Sequence, residues 1–398
     1  MFRPAVGLLL PLSFASVIFA GESGDFRARR EALRKQNPDA LIVLTGATEE
    51  EKGNIRSGFV QEPNFYYLSG WMEPGAALVI GPKLDVLLLP EANPTRERYT
   101  GKKGSATDPG IAERTGFDRV APMAELKAIQ EEQERAGVRE LTGAKEKIQQ
   151  LRMVKSASEL ERIQHAADVS VEAHKAAWRR IAPGLREYQV AATMSNVYFE
   201  AGCERNAYPP IVASGPKSII LHYNENKRRM DGGELLLMDV AGECSMYAAD
   251  ITRTVPVNGK FTARQREIYN AVLAAADAAI AAAKPGVTFA KLNDIARERL
   301  RQAGTAKGGK TLDNYLTHFL GHGVGLEVHD PTDRQSPLEA GMVITVEPGV
   351  YIPEEGIGVR IEDMIVITQD GARNMTAALP REAAAIEKAM GARAKRGH

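Results

Sequence analysis

The sequence predicts a smaller α/β domain followed by a larger α+β domain, with bounds at 21–150 and 151–390. The chain has 398 residues, 44% of them hydrophobic and 26% charged, which is enough for two domains with sizeable cores. In the first part, short apolar segments alternate with helical or irregular stretches. In the second part, long capped helices are followed by pairs of apolar strands.

The first domain is predicted from three apolar segments that are typical of short buried strands: ALIVL (40–44), AALVI (76–80) and DVLLLP (85–90). The polar, glycine-rich stretch TRERYTGKKGSATDPG (95–110) is predicted to be a surface loop. Charge patterning over AELKAIQEEQERAG (124–137) predicts an exposed helix. Strands that alternate with helices indicate a compact α/β domain.

The second domain begins with predicted helices. Ser156, followed three residues later by Glu159, forms a capping box, and apolar residues then recur at helical spacing up to Pro183. A second helix is predicted over roughly 186–202, and a third, which also opens with a capping box, over 262–285.

Two pairs of strands accompany these helices, and each pair is predicted to form an antiparallel ribbon. The pairs are 234–240 with 246–257, and 342–352 with 358–368.

The first twenty residues predict an export signal. Arg3 precedes a short apolar run over 5–19, and Ala20 lies at the break before polar sequence. The run is too short for a comfortable transmembrane helix. We therefore expect cleavage near Ala20, export to the periplasm or the medium, and no stable membrane span afterwards; an uncleaved N-terminal anchor is the alternative.

The balanced charge and the small number of cysteines argue against a nucleic-acid-binding or membrane-surface protein and against a disulfide scaffold. Fifty-one basic residues balance fifty-one acidic ones, so no net field favours nucleic acid or an anionic membrane. Cys203 and Cys244 are too few for a disulfide scaffold. We predict that both are buried and unpaired, with no catalytic role.

Acidic residues interrupt the apolar strand sequence of both ribbons. Burying an ionised carboxylate in such surroundings is costly unless a cation or hydrogen-bond donors compensate it. The acids are Asp239, Asp250, Glu347 and Glu362. Taken alone, Asp239 could be a turn residue and Glu362 part of a solvated charge cluster. Together, the acids from both ribbons could converge on one site.

Histidines support a metal site. The stretch HFLGHGVGLEVHDP (318–331) holds three of the seven histidines in the chain. Its HFLGH segment lacks the glutamate of a helical His-Glu-x-x-His zinc site, because Phe319 takes that place. Carboxylates with one imidazole suit Mn²⁺, Co²⁺, Fe²⁺ or Zn²⁺, and oxygen-rich ligation favours Mn²⁺. Two such ions can activate a bridging water for attack on a carbonyl, which is hydrolytic chemistry.

Several segments closely resemble aminopeptidase P (Xaa-Pro aminopeptidase), in the group that includes prolidase and methionine aminopeptidase. They are NFYYLSGWMEPGAALVI, LHYNEN, LLLMDVAGECSMYAADITRTVPVNGKFT, THFLGHGVGLEVHDP, GMVITVEPGVYIP and GVRIEDMIVIT. They match in order, spacing and residue type over nearly everything after the signal. The resemblance implies an N-terminal domain of the creatinase/aminopeptidase P type before a pita-bread catalytic domain.

The resemblance also implies a dinuclear centre, in which a hydroxide that bridges two metal ions attacks the peptide. Asp239 would bind one ion, His322 and Glu347 the other, and Asp250 and Glu362 both. None of the five ligands departs from the family pattern.

Further residues acquire roles from the same resemblance. His329 would donate a hydrogen bond to the scissile carbonyl or oxyanion, and His222 would lie at the leaving-group side. His318 would line the proline pocket, with simple packing as its alternative. Arg360, and also Tyr351, would orient a ligating carboxylate. Glu347 or a histidine would protonate the leaving proline nitrogen.

The implied activity is release of the N-terminal residue from peptides with proline in second place, and the implied assembly is a homo-oligomer. Prolidase, which cleaves Xaa-Pro dipeptides with the same ligands, is the alternative. A metal-free binding module and creatinase share the fold, but the five retained ligands disfavour both.

Overall fold

The computed structural model describes residues 22–49 and 58–391. The predicted export signal lies outside these residues. Among the described residues, no helix combines the length and the hydropathy needed to cross a membrane.

The first part of the chain forms a mixed five-stranded sheet with helices around it. Its elements are α1 (Glu22–Gln36), β1 (Ala40–Thr45), α2 (Pro63–Ser69), β2 (Ala77–Gly81), β3 (Leu84–Leu89), α3 (Pro94–Thr100), α4 (Ile111–Thr115), β4 (Arg119–Pro122), α5 (Leu126–Arg135), β5 (Arg139–Glu140) and α6 (Ala144–Met153). The strand order is β4-β3-β2-β1-β5. Strands β1 to β3 confirm the three predicted strands, and α5 confirms the predicted helix.

Both faces of this sheet are covered, which explains why its strands are almost continuously apolar. Successive side chains on a strand point to opposite faces. On β2, Leu78 belongs to the core cluster that includes Leu33 of α1 and Ile148 of α6. Its neighbour Val79 belongs to a second cluster, which includes Ile129 of α5. The sheet is therefore a layer between helices, as an α/β domain requires.

The predicted loop over 95–110 begins instead inside helix α3. Asn93 caps this helix by accepting a hydrogen bond from the backbone N–H of Arg96, and Pro94 occupies its first turn. An Asn cap followed by Pro is a local helix-start signal, and the glycine-rich composition further along obscured it. The surface location was correct, because no residue of α3 is buried.

The second part of the chain places helices around antiparallel sheets. Its elements are α7 (Ala157–Arg180), α8 (Glu187–Glu200), β6 (Arg205–Asn206), β7 (Ile211–Ser214), β8 (Leu235–Asp239), β9 (Gly242–Cys244), β10 (Tyr247–Ala248), β11 (Thr252–Pro256), α9 (Ala263–Ala282), α10 (Phe289–Gln302), β12 (Val343–Val346), β13 (Gly349–Ile352), β14 (Ile357–Arg360), β15 (Asp363–Ile367), β16 (Ala372–Asn374) and α11 (Ala383–Gly391).

Both predicted capping boxes are present. The Ser156 hydroxyl accepts from the Glu159 backbone N–H at the start of α7 while the Glu159 side chain accepts from the Ser156 N–H. Thr262 and Gln265 form the same reciprocal pair at the start of α9. Two backbone N–H groups at the start of each long helix, which would otherwise lack an intrahelical partner, are therefore satisfied locally.

The two predicted ribbons are antiparallel, and both break at the acidic residues. Strand β8 pairs with β11 so that Asp239 lies opposite Thr252. In the second ribbon, β12 pairs with β15 and β13 pairs with β14. Glu347 lies in the break between β12 and β13, and Glu362 in the break between β14 and β15. Asp239 ends its strand, and the two glutamates lie in breaks of the second ribbon, so each of these side chains can turn toward a common cavity.

The prediction that the cysteines are unpaired is wrong. Cys203 and Cys244 form a disulfide with Cα atoms 4.3 Å apart. The pairing of β6 with β9 sets Arg205 opposite Glu243 and so brings the two cysteines together. They are 41 residues apart in sequence. Their spacing alone gave no sign of this contact, which depends on strand pairing.

Candidate active site

The predicted site residues meet at one cavity of about 650 Å³. All five predicted metal ligands line it, together with His222, His318, His329 and Arg360. Tyr351 lies behind the wall, where its hydroxyl contacts both His318 and Arg360. The structure therefore brings together side chains from both ribbons and from the glycine-rich segment between them.

The first ribbon contributes two carboxylates that share one phenol. The Tyr208 hydroxyl lies 2.6 Å from Oδ1 of Asp239 and 2.6 Å from Oδ1 of Asp250. A phenol has one hydrogen and can donate to only one of these oxygens at a time. The other close contact between oxygens needs a further proton or a cation to offset the repulsion, so this arrangement suits a nearby cation.

The second ribbon contributes Glu347 and Glu362. The Thr252 hydroxyl donates to Oε2 of Glu362 at 2.7 Å, and the Glu362 backbone N–H donates to the Thr252 carbonyl at 3.0 Å. The Thr345 hydroxyl lies 3.3 Å from Oε1 of Glu347. Because Thr252 lies opposite Asp239 on the first ribbon, it ties the acids of the two ribbons into one cluster.

His322 completes this cluster. Its Nε2 lies 3.4 Å from Oδ2 of Asp250 and 3.4 Å from Oε1 of Glu347. Its Nδ1 lies 3.0 Å from the carbonyl oxygen of Gly323. A carbonyl can only accept, so Nδ1 carries a hydrogen, and Nε2 is the atom that can bind a metal ion after it releases its own proton.

The glycines around His322 allow close approach of the backbone. A Cβ on Gly321 would lie 2.4 Å from the carbonyl oxygen of Thr345, and one on Gly323 would lie 2.3 Å from Oγ1 of Thr332. The His322 backbone N–H also donates to Oγ1 of Thr345 at 3.0 Å. The segment is thereby packed directly against the second ribbon, which explains why two glycines flank this histidine.

The electrostatics of the cluster show a deficit of positive charge. Burial raises the pKa of three of the carboxyl groups. The pKa of Asp239 is raised, that of Glu347 is raised to about 7, and that of Glu362 is raised well above its usual range. Burial acts to lower the pKa of His322, yet the hydrogen bond and charge of Asp250 and the charge of Glu347 raise it to about 9. Extra protons therefore compensate the carboxylates, and bound cations would replace them.

The donor atoms fit a metal ion. Ligand atoms of Asp250, His322 and Glu362 all lie within 4.8 Å of one another. Oxygen-rich ligation with one imidazole suits hard or borderline divalent ions. His165 also lies close to Cys203 and Cys244. These three residues do not form a metal site while the two sulfurs are joined in the disulfide.

A hydrogen-bonded chain leads from Asp239 to His318. Arg360 donates from Nη2 to Oδ2 of Asp239 at 2.6 Å and from Nη1 to the Tyr351 hydroxyl at 2.8 Å. His318 Nδ1 faces the Phe319 carbonyl at 2.8 Å, so its Nε2 accepts from Tyr351 at 2.9 Å. Burial lowers the pKa of His318 to about 4, which keeps the ring neutral in this chain.

His329 lies beside His322, with ring centroids 4.0 Å apart. Burial, and then the charge of His322, lower the pKa of His329. The ring is exposed to the cavity, so a neutral imidazole can reach a ligand there.

His222 lies on the segment between β7 and β8, which a buried carboxylate holds. Glu187, at the start of α8, is fully buried. It accepts from the backbone N–H groups of Ser214 and Arg228 at 2.8 Å, and from the Tyr223 hydroxyl at 2.9 Å. Because these donors precede and follow His222, Glu187 fixes both ends of the segment that carries it.

Sequence reasoning missed Tyr208 and Thr252. Burial and the two neighbouring aspartates raise the pKa of Tyr208 well above its usual range, so it remains a donor. A single tyrosine in NAYPP carries no periodic or spacing signal. Thr252 follows the acid Asp250 in strand sequence, where threonine is ordinary. Only the fold reveals that both contact ligand candidates.

The fold and the site define a metal-dependent hydrolase, and comparisons with known proteins agree. The model of metallopeptidase family M24 matches residues 161–369, and that of the aminopeptidase P N-terminal domain matches 26–138. The chain belongs to metallopeptidase family M24. The predicted family, the fold of an N-terminal domain before a pita-bread domain, and the hydrolase class are confirmed. Membership implies divalent metal ions at this site.

Relatives resemble the chain over nearly its whole length. An Xaa-Pro aminopeptidase from Haemophilus influenzae is 33% identical, over 92% of this chain and 97% of its own. An Xaa-Pro dipeptidase from Pyrococcus furiosus is 35% identical, over 82% of this chain and 94% of its own. The solved structure of aminopeptidase P from E. coli with the inhibitor Pro-Leu has a TM-score of 0.84 and 29% identity, over 94% of this chain and 99% of its own.

The metal-free protein is expected to lose stability as the pH rises from 7 to 9. The pKa of His322 is raised from 6.5 to about 9, so the folded protein retains a proton that the unfolded chain releases. The raised pKa of Glu362 acts in the same direction. A folded state that binds more protons loses about 1.4 kcal/mol of unfolding free energy per pH unit for each proton retained. Urea unfolding in a chelator at pH 7, 8 and 9 measures this slope.

Saturating Mn²⁺ provides the control, because a bound cation replaces the retained protons and removes most of the slope. His318, with a lowered pKa of about 4, is neutral in both states above pH 7 and does not contribute in this window. Stability that is flat or rises from pH 7 to 9 in the chelator would contradict this electrostatic account.

Proposed function

We propose that the protein is an aminopeptidase that releases the N-terminal residue from peptides with proline in the second position. The main support is the convergence of four carboxylates and His322 in one cavity, within a chain that matches the aminopeptidase P N-terminal domain as well as family M24. The Haemophilus influenzae relative carries the name of this activity and matches over nearly its whole length.

We propose that two metal ions bind here, Asp239 holding one, His322 and Glu347 the other, and Asp250 and Glu362 both. The cluster's unmatched negative charge supports this number, since two divalent ions would balance four carboxylates. The oxygen-rich set favours Mn²⁺, with Co²⁺, Zn²⁺ or Fe²⁺ as alternatives. When bound, the ions would polarise the scissile carbonyl and supply a bridging hydroxide as nucleophile.

The chain's own residues would orient the peptide and move protons. His329 can donate to the scissile carbonyl, an interaction that strengthens as charge develops on that oxygen. Glu347 can pass a proton to the leaving proline nitrogen, and His222 lies at the cavity wall to contact that side. Arg360 fixes the orientation of Asp239. His318, held by Tyr351, lines the proline pocket, unless it only packs there.

The nature of the Xaa-Pro bond explains the need for such a site. The proline amide is tertiary, without an N–H for a protease to bind, and its ring fixes the backbone. Attack on the carbonyl does not need that N–H, while the leaving nitrogen still needs a proton. The free α-amine of the substrate can lie beside the acidic cluster, which would restrict cleavage to the first residue.

The second candidate function is that of an Xaa-Pro dipeptidase. The identity of 35% with the Pyrococcus furiosus dipeptidase favours it. The N-terminal aminopeptidase P match and the cover of 97% of the Haemophilus influenzae relative favour the longer-peptide activity.

Cleavage of matched peptides decides between these functions. With Mn²⁺ present, the protein is expected to cleave an Xaa-Pro-Xaa tripeptide faster than the Xaa-Pro dipeptide, and at least about 100-fold faster than a tripeptide with alanine in place of proline. Chromatography of the products gives kcat/KM for each peptide. Preference for the dipeptide would establish the second candidate, and indifference to proline would contradict both.

Loss of one bridging carboxylate is expected to remove metal and activity together. Glu362→Gln should lower the metal content below two ions per chain and lower kcat/KM by at least about 100-fold, because a neutral amide is a poor ligand. Elemental analysis after gel filtration measures the content. Glu355→Gln is the matched control, since the Glu355 side chain is also about 1% exposed but pairs with Arg264 outside the cavity. Full metal content in Glu362→Gln would refute the ligand assignment.

We further propose export to the periplasm or the medium. The Cys203–Cys244 disulfide supports it, because disulfides persist in oxidising compartments. Protein from the extracytoplasmic fraction is expected to lack residues 1–20 and to react with iodoacetamide only after reduction, both read from the intact mass. A full-length mass would favour the N-terminal anchor instead, and thiols that react without reduction would contradict the disulfide. A homo-oligomer remains an expectation, which light scattering tests.

A further inference from the structure

A buried ion cluster lies directly behind the histidine segment. Asp330 accepts from Nη2 of Arg152 at 2.6 Å and from Nζ of Lys155 at 2.9 Å. All three side chains are about 1% exposed. A carboxylate is rarely buried so completely without paired cations, and here each of its oxygens meets one.

This cluster joins the two parts of the chain. Arg152 is in the last turn of α6 and Lys155 lies between α6 and α7. From Nη1, Arg152 also donates to Oδ1 of Asn64 on α2, at 2.7 Å. The acceptor Asp330 belongs to the histidine segment (318–331), more than 170 residues further along the chain. One buried carboxylate thus anchors the histidine segment to the domain junction.

Asp330 also shapes the turn that carries the active-site imidazoles. Its backbone N–H donates to the Gly323 carbonyl at 2.9 Å, and its Oδ1 lies 3.3 Å from the backbone nitrogen of Glu327. A Cβ on Gly325 would lie only 2.7 Å from Oδ2 of Asp330, so the carboxylate fills the inside of the turn. His322 precedes this turn and His329 ends it.

We propose that Asp330, held by Arg152 and Lys155, is a positioning residue that sets the place of His329 in the cavity. The proposal rests on the role of His329 in the proposed function. Asp330 follows His329 directly, and its paired oxygens allow the backbone at this point little freedom. The ion cluster at the domain junction thereby determines where the exposed imidazole meets the substrate carbonyl, while its own charged side chains are almost fully shielded from solvent.

A double-mutant cycle tests this coupling. We expect His329→Ala to lower kcat by about 100-fold or more. Asp330→Asn should also lower kcat strongly with little change in KM, because the imidazole is misplaced rather than lost. If Asp330 acts through His329, the double variant will be no slower than His329→Ala alone. Independent effects would multiply in the double variant, and that result would overturn the proposal.

Two measurements separate positioning from a general loss of structure. Asp85→Asn is the matched control, because Asp85 is a buried carboxylate that also accepts from two cations, Arg30 and Arg34, in the first sheet. This control is expected to keep the kcat of the folded fraction. Metal content in Asp330→Asn is expected to equal that of the wild type. Lost metal would mean that Asp330 acts through His322, and would overturn the proposal.

Hydrogen exchange gives a readout that needs no activity. Asp330→Asn is expected to speed amide exchange at least about tenfold over residues 323–330, whereas Asp85→Asn leaves this segment unchanged. Unchanged exchange in Asp330→Asn would overturn the proposal. If the wild-type protein does not cleave Xaa-Pro peptides, the proposed function is refuted. The exchange result would still decide whether Asp330 orders the turn.

Arg152→Lys provides a second variant if Asp330→Asn does not fold. It keeps the charge and the Lys155 contact but loses the two-pronged donation of the guanidinium. We expect a smaller fall in kcat than in Asp330→Asn, with faster exchange over the same turn. Wild-type kcat together with wild-type exchange in Arg152→Lys would overturn the role of the cluster.

Discussion

The burial of four carboxylates around one cavity is the constraint on which the site depends. Strands β8, β12 and β15 are buried along their length, so the acids beside them have little water to solvate them. Burial raises the pKa of Asp239, Glu347 and Glu362, and the folded chain compensates with protons and with His322. Burying these charges costs folding free energy if they serve only a structural role, whereas the same charges are suited to binding cations.

The surrounding hydrogen bonds direct each acid before any ion is present. Arg360 binds Asp239, Thr252 binds Glu362, and Tyr208 contacts both aspartates. These partners are themselves buried or partly buried, so their orientations are restricted. Such support of ligands by neighbouring donors commonly determines how tightly a metal is held.

The rest of the molecule fixes the segments that bring these groups together. Glu187 holds the loop of His222, and the disulfide ties the strand that leads to Tyr208 to the strand that follows Asp239. Asp330 anchors the histidine segment to the domain junction. The smaller domain is thus in contact with the structure that carries the active-site imidazoles, through Asn64 and Arg152.

The sequence by itself determined the local structure and the candidate ligands. Helix caps, apolar alternation and acids in apolar strands are encoded within a few residues, so Ser156 and Glu347 could be recognised without a fold. The assignment of each ligand to an ion came from family resemblance. The tertiary structure alone decided which distant groups meet. Arg360 reaches Asp239 across 121 positions, and Cys203 reaches Cys244 across 41. Such contacts depend on strand pairing and on the packing of whole elements. Local sequence patterns do not predict either of these.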